Sequence, residues 1–174
     1  MKLLKELFEN ELLPGERGNS KQSYHIRHAS RTVIIDQDNK TPLIHTKNWF
    51  KIPGGGIDSG ENIEEAAIRE AQEESGCQIE IIDDLGLIIE YRDSWKQVQL
   101  SFCFLAKVLG DKGETEFTQN EKEQGFVLKW HDLDEAISLL ESVKNPNQQM
   151  HANASERELT FMKVAKKLIE EKKR

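Results

Sequence analysis

The sequence predicts an α/β fold in which helices pack on a mixed β-sheet. Three observations carry that prediction. Runs of β-branched and aromatic residues recur along the chain, among them "RTVIID", "TPLIHTK" and "KQVQLSFCFLAKV". A single acidic stretch, "ENIEEAAIREAQEESG", interrupts them with apolar residues at helical spacing. Near the C-terminus, "EAISLLESV" and "LTFMKVAKKLIEE" each follow a pair with the spacing of a helix-starting capping box, Asp132 with Glu135 and Ser155 with Glu158.

Taken in order, Leu3, Leu4, Leu7, Phe8 and Leu12 recur at helical spacing before Pro14, so residues 1–20 are expected to form an N-terminal helical extension. That segment could pack on its own domain or on a second copy, as a homodimer. "RTVIID" and "TPLIHTK", with "DQDNK" between them as a turn, read as a hairpin. "WFKIP" then runs as a short strand into the glycines at 54–56. After the acidic helix, "QIEII", "LGLIIEYR", "KQVQLSFCFLAKV" and "GFVLKW" complete the mixed sheet; Gln99, Ser101 and Cys103 alternate with Leu100, Phe102 and Phe104. "KNPNQQMHANA" has neither period and is expected to be a loop, which places the C-terminal helix at 155–172. No repeat or linker divides the 174 residues, so the chain reads as a single domain, 1–174.

A hydrophobic fraction of 37% with 32% charged residues is that of a soluble globular protein, and no apolar run approaches the ~20 residues of a membrane helix. Lys5, Glu6, Glu9 and Glu11 break the apolar character of the first residues, so a secretory signal is not expected and the location is read as cytoplasmic. Cys77 and Cys103 lack metal-site spacing and read as buried thiols. The net charge of −7 argues against extended nucleic-acid binding. An anionic substrate would need a cation to mediate, with metal–phosphate contacts mattering more than any basic surface.

The acidic helix raises that same question of a cation. At about 100° per residue, Glu70, Glu73 and Glu74 span only about 100° and share their arc with Ile63, Ala66 and Ala67. Glu64 and Glu65 lie elsewhere and suit a solvated face. Carboxylates gathered on a packing face cost several kcal/mol per ion unless compensated, and a divalent metal would compensate them. Oxygen-only ligands favour Mg2+ or Mn2+. The glycines at 54–56 allow close approach of the backbone to a ligand, and Gly76 suits a left-handed helix stop.

The spacing is specific when taken together: Gly55, five residues, Glu61, seven residues, Arg69-Glu70, an apolar and any residue, Glu73-Glu74, any residue, Gly76 and an apolar residue. It resembles the box of the Nudix family, with Ala71 and Cys77 smaller than the aliphatics common there. The likeness extends over roughly residues 30–143 through the "PGGG" lead-in and "FVLKWHDLDEA".

The resemblance implies an α/β/α sandwich around a mixed sheet, with the box as loop-helix-loop. It also implies Mg2+- or Mn2+-dependent hydrolysis of a diphosphate linkage in a nucleoside diphosphate derivative, by attack of a metal-activated water. Carried over residue by residue, Glu70, Glu73 and Glu74 become metal ligands, the Gly54 or Gly55 carbonyl is read as another, and Glu61 with Arg69 braces loop against helix. The base would be a box glutamate or, from the later loop, Glu121 or Glu123. Arg27, Arg31 and Arg92 are candidate phosphate contacts, against the alternative of solvated arginines. Trp49 and Tyr91 are candidate stacking platforms. His25 and His28 read as surface or hydrogen-bonded residues.

A small nucleotide substrate is expected, with a nucleoside triphosphate, normal or oxidised, ranked above dinucleoside polyphosphates. Both rank above ADP-ribose, because the proline that commonly follows the box in ADP-ribose hydrolases is missing. A non-catalytic nucleotide sensor is the alternative of a different class, disfavoured by the complete set of box glutamates. An RNA-end pyrophosphohydrolase is disfavoured by the acidic charge.

Overall fold

The structure is a computed structural model that describes residues 1–9, 23–47, 49–143 and 149–172. Its strands are β1 (Leu3–Phe8), β2 (His25–Ile35), β3 (Lys40–His45), β4 (Phe50–Lys51), β5 (Gly54–Gly56), β6 (Gln78–Arg92), β7 (Gln97–Leu109) and β8 (Val127–Asp132). The helices are α1 (Ile63–Ser75), α2 (Gln119–Glu123), α3 (Leu133–Ser142) and α4 (Gln149–Lys172), with a 3-10 turn at Asp93–Trp95.

Five strands form a mixed sheet in the order β1-β6-β7-β2-β5, and three form an antiparallel sheet in the order β4-β3-β8. In the larger sheet β1 runs parallel to β6 and β2 parallel to β7, while β6/β7 and β2/β5 are antiparallel. Adjacent residues of one strand feed different cores, as the period of two requires. Val33 and Leu105 belong to a cluster with Ile88, Phe161, Met162 and Ala165, on the side covered by α4. Their neighbours Ile34 and Ala106 belong to a cluster with Ala71, Cys77 and Ile79, on the side covered by α1. Helices on both faces of the central sheet make the expected sandwich, and both cysteines are buried as free thiols.

Helix α1 begins where Asn62 caps it. Its side chain accepts from the Glu64 and Glu65 amides at 2.9 Å, and the Glu65 carboxylate accepts from the Asn62 amide. It ends at Gly76, whose φ of 68° is the left-handed stop expected from the sequence. Buried Ala66, Ala67 and Ala71 let it lie close to β2, and the Ser30 hydroxyl donates to the Ile63 carbonyl at 2.6 Å.

Several expectations are corrected. Residues 3–8 form a strand, not the start of a helical extension, because β6 offers a free edge. Backbone pairing along Leu3–Phe8 then outweighs a helix that only one apolar stripe would hold. Residues 10–20 lie outside the described residues. The turn after Asp36 is present, its carboxylate accepting from the Asp38 and Lys40 amides, but β2 and β3 continue into different sheets and do not form a paired hairpin. The C-terminal helix begins at Gln149, earlier than residue 155, so the described part of the expected loop is helical throughout. Ser155 therefore sits inside α4, buried with no hydroxyl partner among the described residues, and caps nothing. Asp132 stands at the N-cap of α3 without a side-chain cap bond. No helix among the described residues is long and apolar enough to cross a membrane.

Strand β1 docks through a close approach at Gly86, a register shift in β6 where φ is +130°. A Cβ there would lie 2.7 Å from both the Leu4 Cγ and the Lys2 carbonyl. Gly86→Ala should therefore release β1, costing about 1–3 kcal/mol from backbone strain and the clash together. Amide hydrogen exchange should show protection lost selectively over residues 3–8. Unchanged protection there would contradict the docking.

Candidate active site

A cavity of about 500 Å³ opens where the glycine strand β5, the end of α1, the paired strands β2, β7 and β6, and the start of α4 converge. Its lining holds a carboxylate group, Glu70 and Glu74 with Lys51 and Gly54–Gly56, and an arginine wall of Arg27, Arg31, Arg92 and Arg157 with Gln97 and Gln99 that adjoins the glycines; Trp49, Trp95 and Glu121 also line it. A wider, shallower depression adjoins it beyond Arg27, but contains neither Glu70 nor Glu74.

The carboxylate wall depends on missing side chains. A Cβ at Gly55 would collide with the Glu70 carboxylate, so only glycine lets that group pass over the edge strand. Gly54, at φ +147°, would drive a Cβ to 2.7 Å from the Arg31 Cα. Glu74 is 3% exposed; its Oε2 accepts from the Gly54 amide at 2.8 Å and its Oε1 from the Lys51 ammonium at 2.7 Å. Lys51 also donates to the Gly54 carbonyl at 3.1 Å. Burial raises the pKa of Glu74 despite Lys51 and the Gly54 amide, and burial likewise raises that of Glu70 despite Arg69.

Arg69 braces the loop against the helix, as the family resemblance implied. Its Nε and Nη2 grip both oxygens of Glu61 at 2.7 and 3.0 Å, Nη2 also donates to the Gly56 carbonyl at 2.9 Å, and Nη1 reaches Glu70 at 2.9 Å and Glu73 at 3.1 Å. The Glu61 hydrogen bonds foremost raise the pKa of Arg69, and the same contact lowers that of Glu61.

Three sequence candidates fall outside the cavity. Glu73 is turned to Arg69, with 42% of its side chain exposed, so Glu70 and Glu74 alone of the three face the cavity. Tyr91 lies between Glu90 and Arg92 on β6, and the strand period sends it to the opposite face, where it stacks on Phe8 at 4.8 Å. Glu123 is about 200° around α2 from Glu121 and accepts from Gln119 on the exposed side. Glu121 does line the cavity, with its Oε2 taken up by the Thr118 amide and hydroxyl at 2.8 Å. His25 and His28 are exposed, the first beside Gln97 and the second stacked on Phe102.

Arg27, Arg31 and Arg92 all line the cavity; Arg31 is 6% exposed and the other two are half-buried. The register rows explain their meeting: Arg27, Gln99 and Glu90 stand side by side on β2, β7 and β6, as do His25, Gln97 and Arg92. The net charge gave no warning of such a basic wall. Sequence reasoning also missed Lys51, Gln97, Gln99, Glu90, Arg157 and Glu158. Two signals were available. The polar members of the alternation Gln97, Gln99, Ser101 are the buried ones, and Arg157 and Glu158 occupy the helical stripe of Ala154, Phe161, Met162 and Ala165, where apolar residues belong.

The donor set suits a hard cation. Two carboxylates and a backbone carbonyl are all oxygen, and the Lys51 ammonium already bridges Glu74 and the Gly54 carbonyl as a positive charge would. Among the described residues no three His, Cys, Asp or Glu side chains gather around one point, so such a cation would complete its sphere with water and substrate oxygens.

The chain matches the NUDIX domain family over residues 26–154 and belongs to that family. An ADP-ribose pyrophosphatase of Methanocaldococcus jannaschii is 35% identical over 98 residues, 53% of this chain and 57% of the archaeal protein, so the match spans little more than half of that relative. An RNA pyrophosphohydrolase of Pelagibacter ubique is 27% identical over 141 residues, 72% of this chain and 89% of its own. A solved NUDIX hydrolase from Nitrosomonas europaea superposes with a TM-score of 0.56 at 22% identity, covering 75% of this chain and 91% of that one; the likeness is one of fold.

Two expectations follow from the buried charges. Removing the Glu74 charge does not simply relieve carboxylate repulsion, because Lys51 would be left buried without its counter-charge. Glu74→Gln should destabilise the metal-free protein by about 3 kcal/mol, and adding Lys51→Met should recover most of that loss. A urea-denaturation cycle measures both, and a double variant no more stable than the single would contradict the pairing.

Burial alone would raise the pKa of Glu90, but Arg157 and Arg92 outweigh it and hold the carboxyl at about 2. Its folded pKa lies below the unfolded one, so its contribution is full above about pH 4.3 and is lost as pH falls toward 2. Stability should therefore fall more steeply over that interval in the wild type than in Glu90→Gln, as followed by urea midpoints.

Proposed function

We propose that this chain is a divalent-cation-dependent pyrophosphohydrolase that cleaves a phosphoric anhydride in a small nucleotide, foremost a nucleoside triphosphate, to a monophosphate and pyrophosphate. The observation that carries the reading is one cavity lined both by Glu70, Glu74 and the glycine strand and by four arginines, Arg27, Arg31, Arg92 and Arg157. Oxygen ligands beside a cluster of guanidinium groups suit a polyphosphate: the carboxylates would take a cation and the arginines would take phosphate oxygens directly. Family membership supports the same chemistry, and proteins of the family generally need a divalent cation.

Glu70 and Glu74 would hold the cation with the Gly54 carbonyl, and Lys51 would give up its bridging position or share it. The bound ion would supply a water of lowered pKa and neutralise charge on the anhydride. Arg69 keeps the Glu70 carboxylate aimed over Gly55, and Glu74 is fixed by the Gly54 amide. Glu121, which also lines the cavity, would take a proton from an attacking water, and Thr118 orients it. Trp49 and Trp95 offer apolar surface for a base.

The test is a hydrolysis panel of nucleoside triphosphates, oxidised triphosphates, dinucleoside polyphosphates and ADP-ribose with Mg2+ or Mn2+, with product identification. Activity should vanish with EDTA, and Glu70→Gln should lower kcat by roughly two to three orders of magnitude, the loss of several kcal/mol of charge stabilisation. Undiminished turnover in Glu70→Gln would overturn the assignment. ADP-ribose cleaved with a kcat/KM well above every triphosphate would overturn the substrate ranking while leaving the metal chemistry standing.

A further inference from the structure

Gln99 is a buried polar residue in the middle of the sheet, and every part of its side-chain amide is in use. It stands on β7 in one register row between Arg27 of β2 and Glu90 of β6. Its Nε2 donates to Glu90 Oε2 and to the Ser101 hydroxyl, both at 2.9 Å, and its Oε1 accepts from Arg27 Nη1 at 2.7 Å. The direction of the amide is fixed by these neighbours. Against the effect of burial, Arg157 and Arg92 hold the Glu90 carboxyl at about 2, so Glu90 is ionised and can only accept. A reversed amide would set an oxygen against that carboxylate and an NH2 group against a guanidinium.

The place where Arg27 is held is a seam. Arg27 lines both the cavity and the depression beside it, and a Cβ on Gly56 would lie 3.3 Å from its Nη2. The adjacent Gly55 is the residue over which the Glu70 carboxylate passes. Nothing else in the wall favours Arg27 there. Burial, then Arg31 and Arg157, lower its pKa, and Glu70 and Glu90 offset them only in part. A half-buried arginine so opposed gains hydration and rotamer freedom by swinging outward. A glutamate at position 99 would restrain it but cancel its charge and stand beside ionised Glu90. An amide restrains the guanidinium and leaves the charge for a ligand. The device recurs two residues earlier, where Gln97 Oε1 accepts from Arg92 Nη1 at 3.2 Å.

We propose that Gln99 is a positioning residue for hydrolysis: it holds Arg27, still charged, where the arginines meet the glycine strand, so that a guanidinium contacts the anhydride beside the bound cation. This rests on reading the cavity as a pyrophosphohydrolase site. The role belongs to any phosphoric anhydride and does not choose among substrates.

A double-variant cycle between Gln99 and Arg27 tests it. The probe is imidodiphosphate with Mg2+, which carries the two linked phosphates common to the candidate substrates and resists hydrolysis. Its Kd is measured by calorimetry in the wild type, Gln99→Met, Arg27→Met and the double variant, with KM and kcat for the best-cleaved nucleotide alongside. Gln99→Met keeps the length of the side chain and removes the amide. It should raise Kd and KM about tenfold and change kcat less than about threefold, because Glu70, Glu74 and Arg69 share no hydrogen bond with Gln99. In the Arg27→Met background the same change should cost less than about twofold, whereas a residue that only stabilised the sheet would act alike in both. Should Gln99→Met not fold, Ser101→Ala takes its place. It frees one side of the amide, and a loss of about threefold is expected, again only where Arg27 is present.

No binding of the probe by the wild type, an unchanged Kd in the position-99 or position-101 variant, a loss confined to kcat, or an equal loss with and without Arg27 would overturn the positioning role. Binding coupled through Arg27 in a protein that cleaves no anhydride would overturn the hydrolase reading and leave the coupling standing. Hydrolysis without the coupling would do the reverse.

Discussion

The Glu74 carboxylate is the joint on which the cavity depends. One oxygen takes the Gly54 amide and the other the Lys51 ammonium, which in turn holds the Gly54 carbonyl. The end of α1, the glycine strand and the strand before it are thereby fixed to one another through a group that is 3% exposed. A carboxylate this deep is costly unless its lone pairs are used, and here both oxygens are engaged. The same contact decides where Glu70 can lie, since it sets α1 at the height where Gly55 must be bare. Arg69 then ties the other end of the loop, so helix and loop form a closed frame around the future ligand.

Beneath the arginines the fold makes a second, different commitment. Glu90, Arg157 and Glu158 are essentially excluded from solvent, on strands and a helix that could have met through apolar residues. Apolar replacement of buried ion networks is often neutral or stabilising, so their presence is weak support for stability and stronger support for a role that needs charge. The amides of Gln97 and Gln99 extend the network without neutralising it. Carboxylates and guanidinium groups thus line one cavity of about 500 Å³, which suits a ligand that is itself divided into parts.

The frame was legible in the sequence because it is local. The spacing from Gly55 to Gly76 fixes a loop, a capped helix and a stop, and Asn62, Glu65, Glu61 and Arg69 all act within that span. Tyr91 and Glu123 were misplaced for the same kind of reason: each lies one or two residues from a side chain that does reach the cavity, and strand or helix period sends it elsewhere. The arginine wall was not legible because it is assembled by register. Nothing local says that Arg27 stands beside Gln99, or that Arg157 reaches a glutamate 67 residues earlier. The N-terminal strand shows the limit of periodicity: Leu3, Leu4 and Leu7 satisfy a helix pattern, and a free sheet edge overrides it.

Because β1 pairs with β6, and Lys5 forms an ion pair with Glu156 across 151 residues, the two ends of the chain meet on one flank of the sheet. Closing loops of that length is an entropic charge on late folding, and contacts of such range form slowly. During synthesis, at roughly 5–20 residues per second, the first strand must wait several seconds for its partner. Arg157, on the last helix, arrives later still. The glycine loop and α1 can settle among their neighbours well before that, whereas Glu90, within the arginine wall, stays without its main counter-charge until α4 docks. The order of emergence thus makes the cavity the last part of the molecule to be finished, and any nascent chain stopped short of α4 would hold half a site.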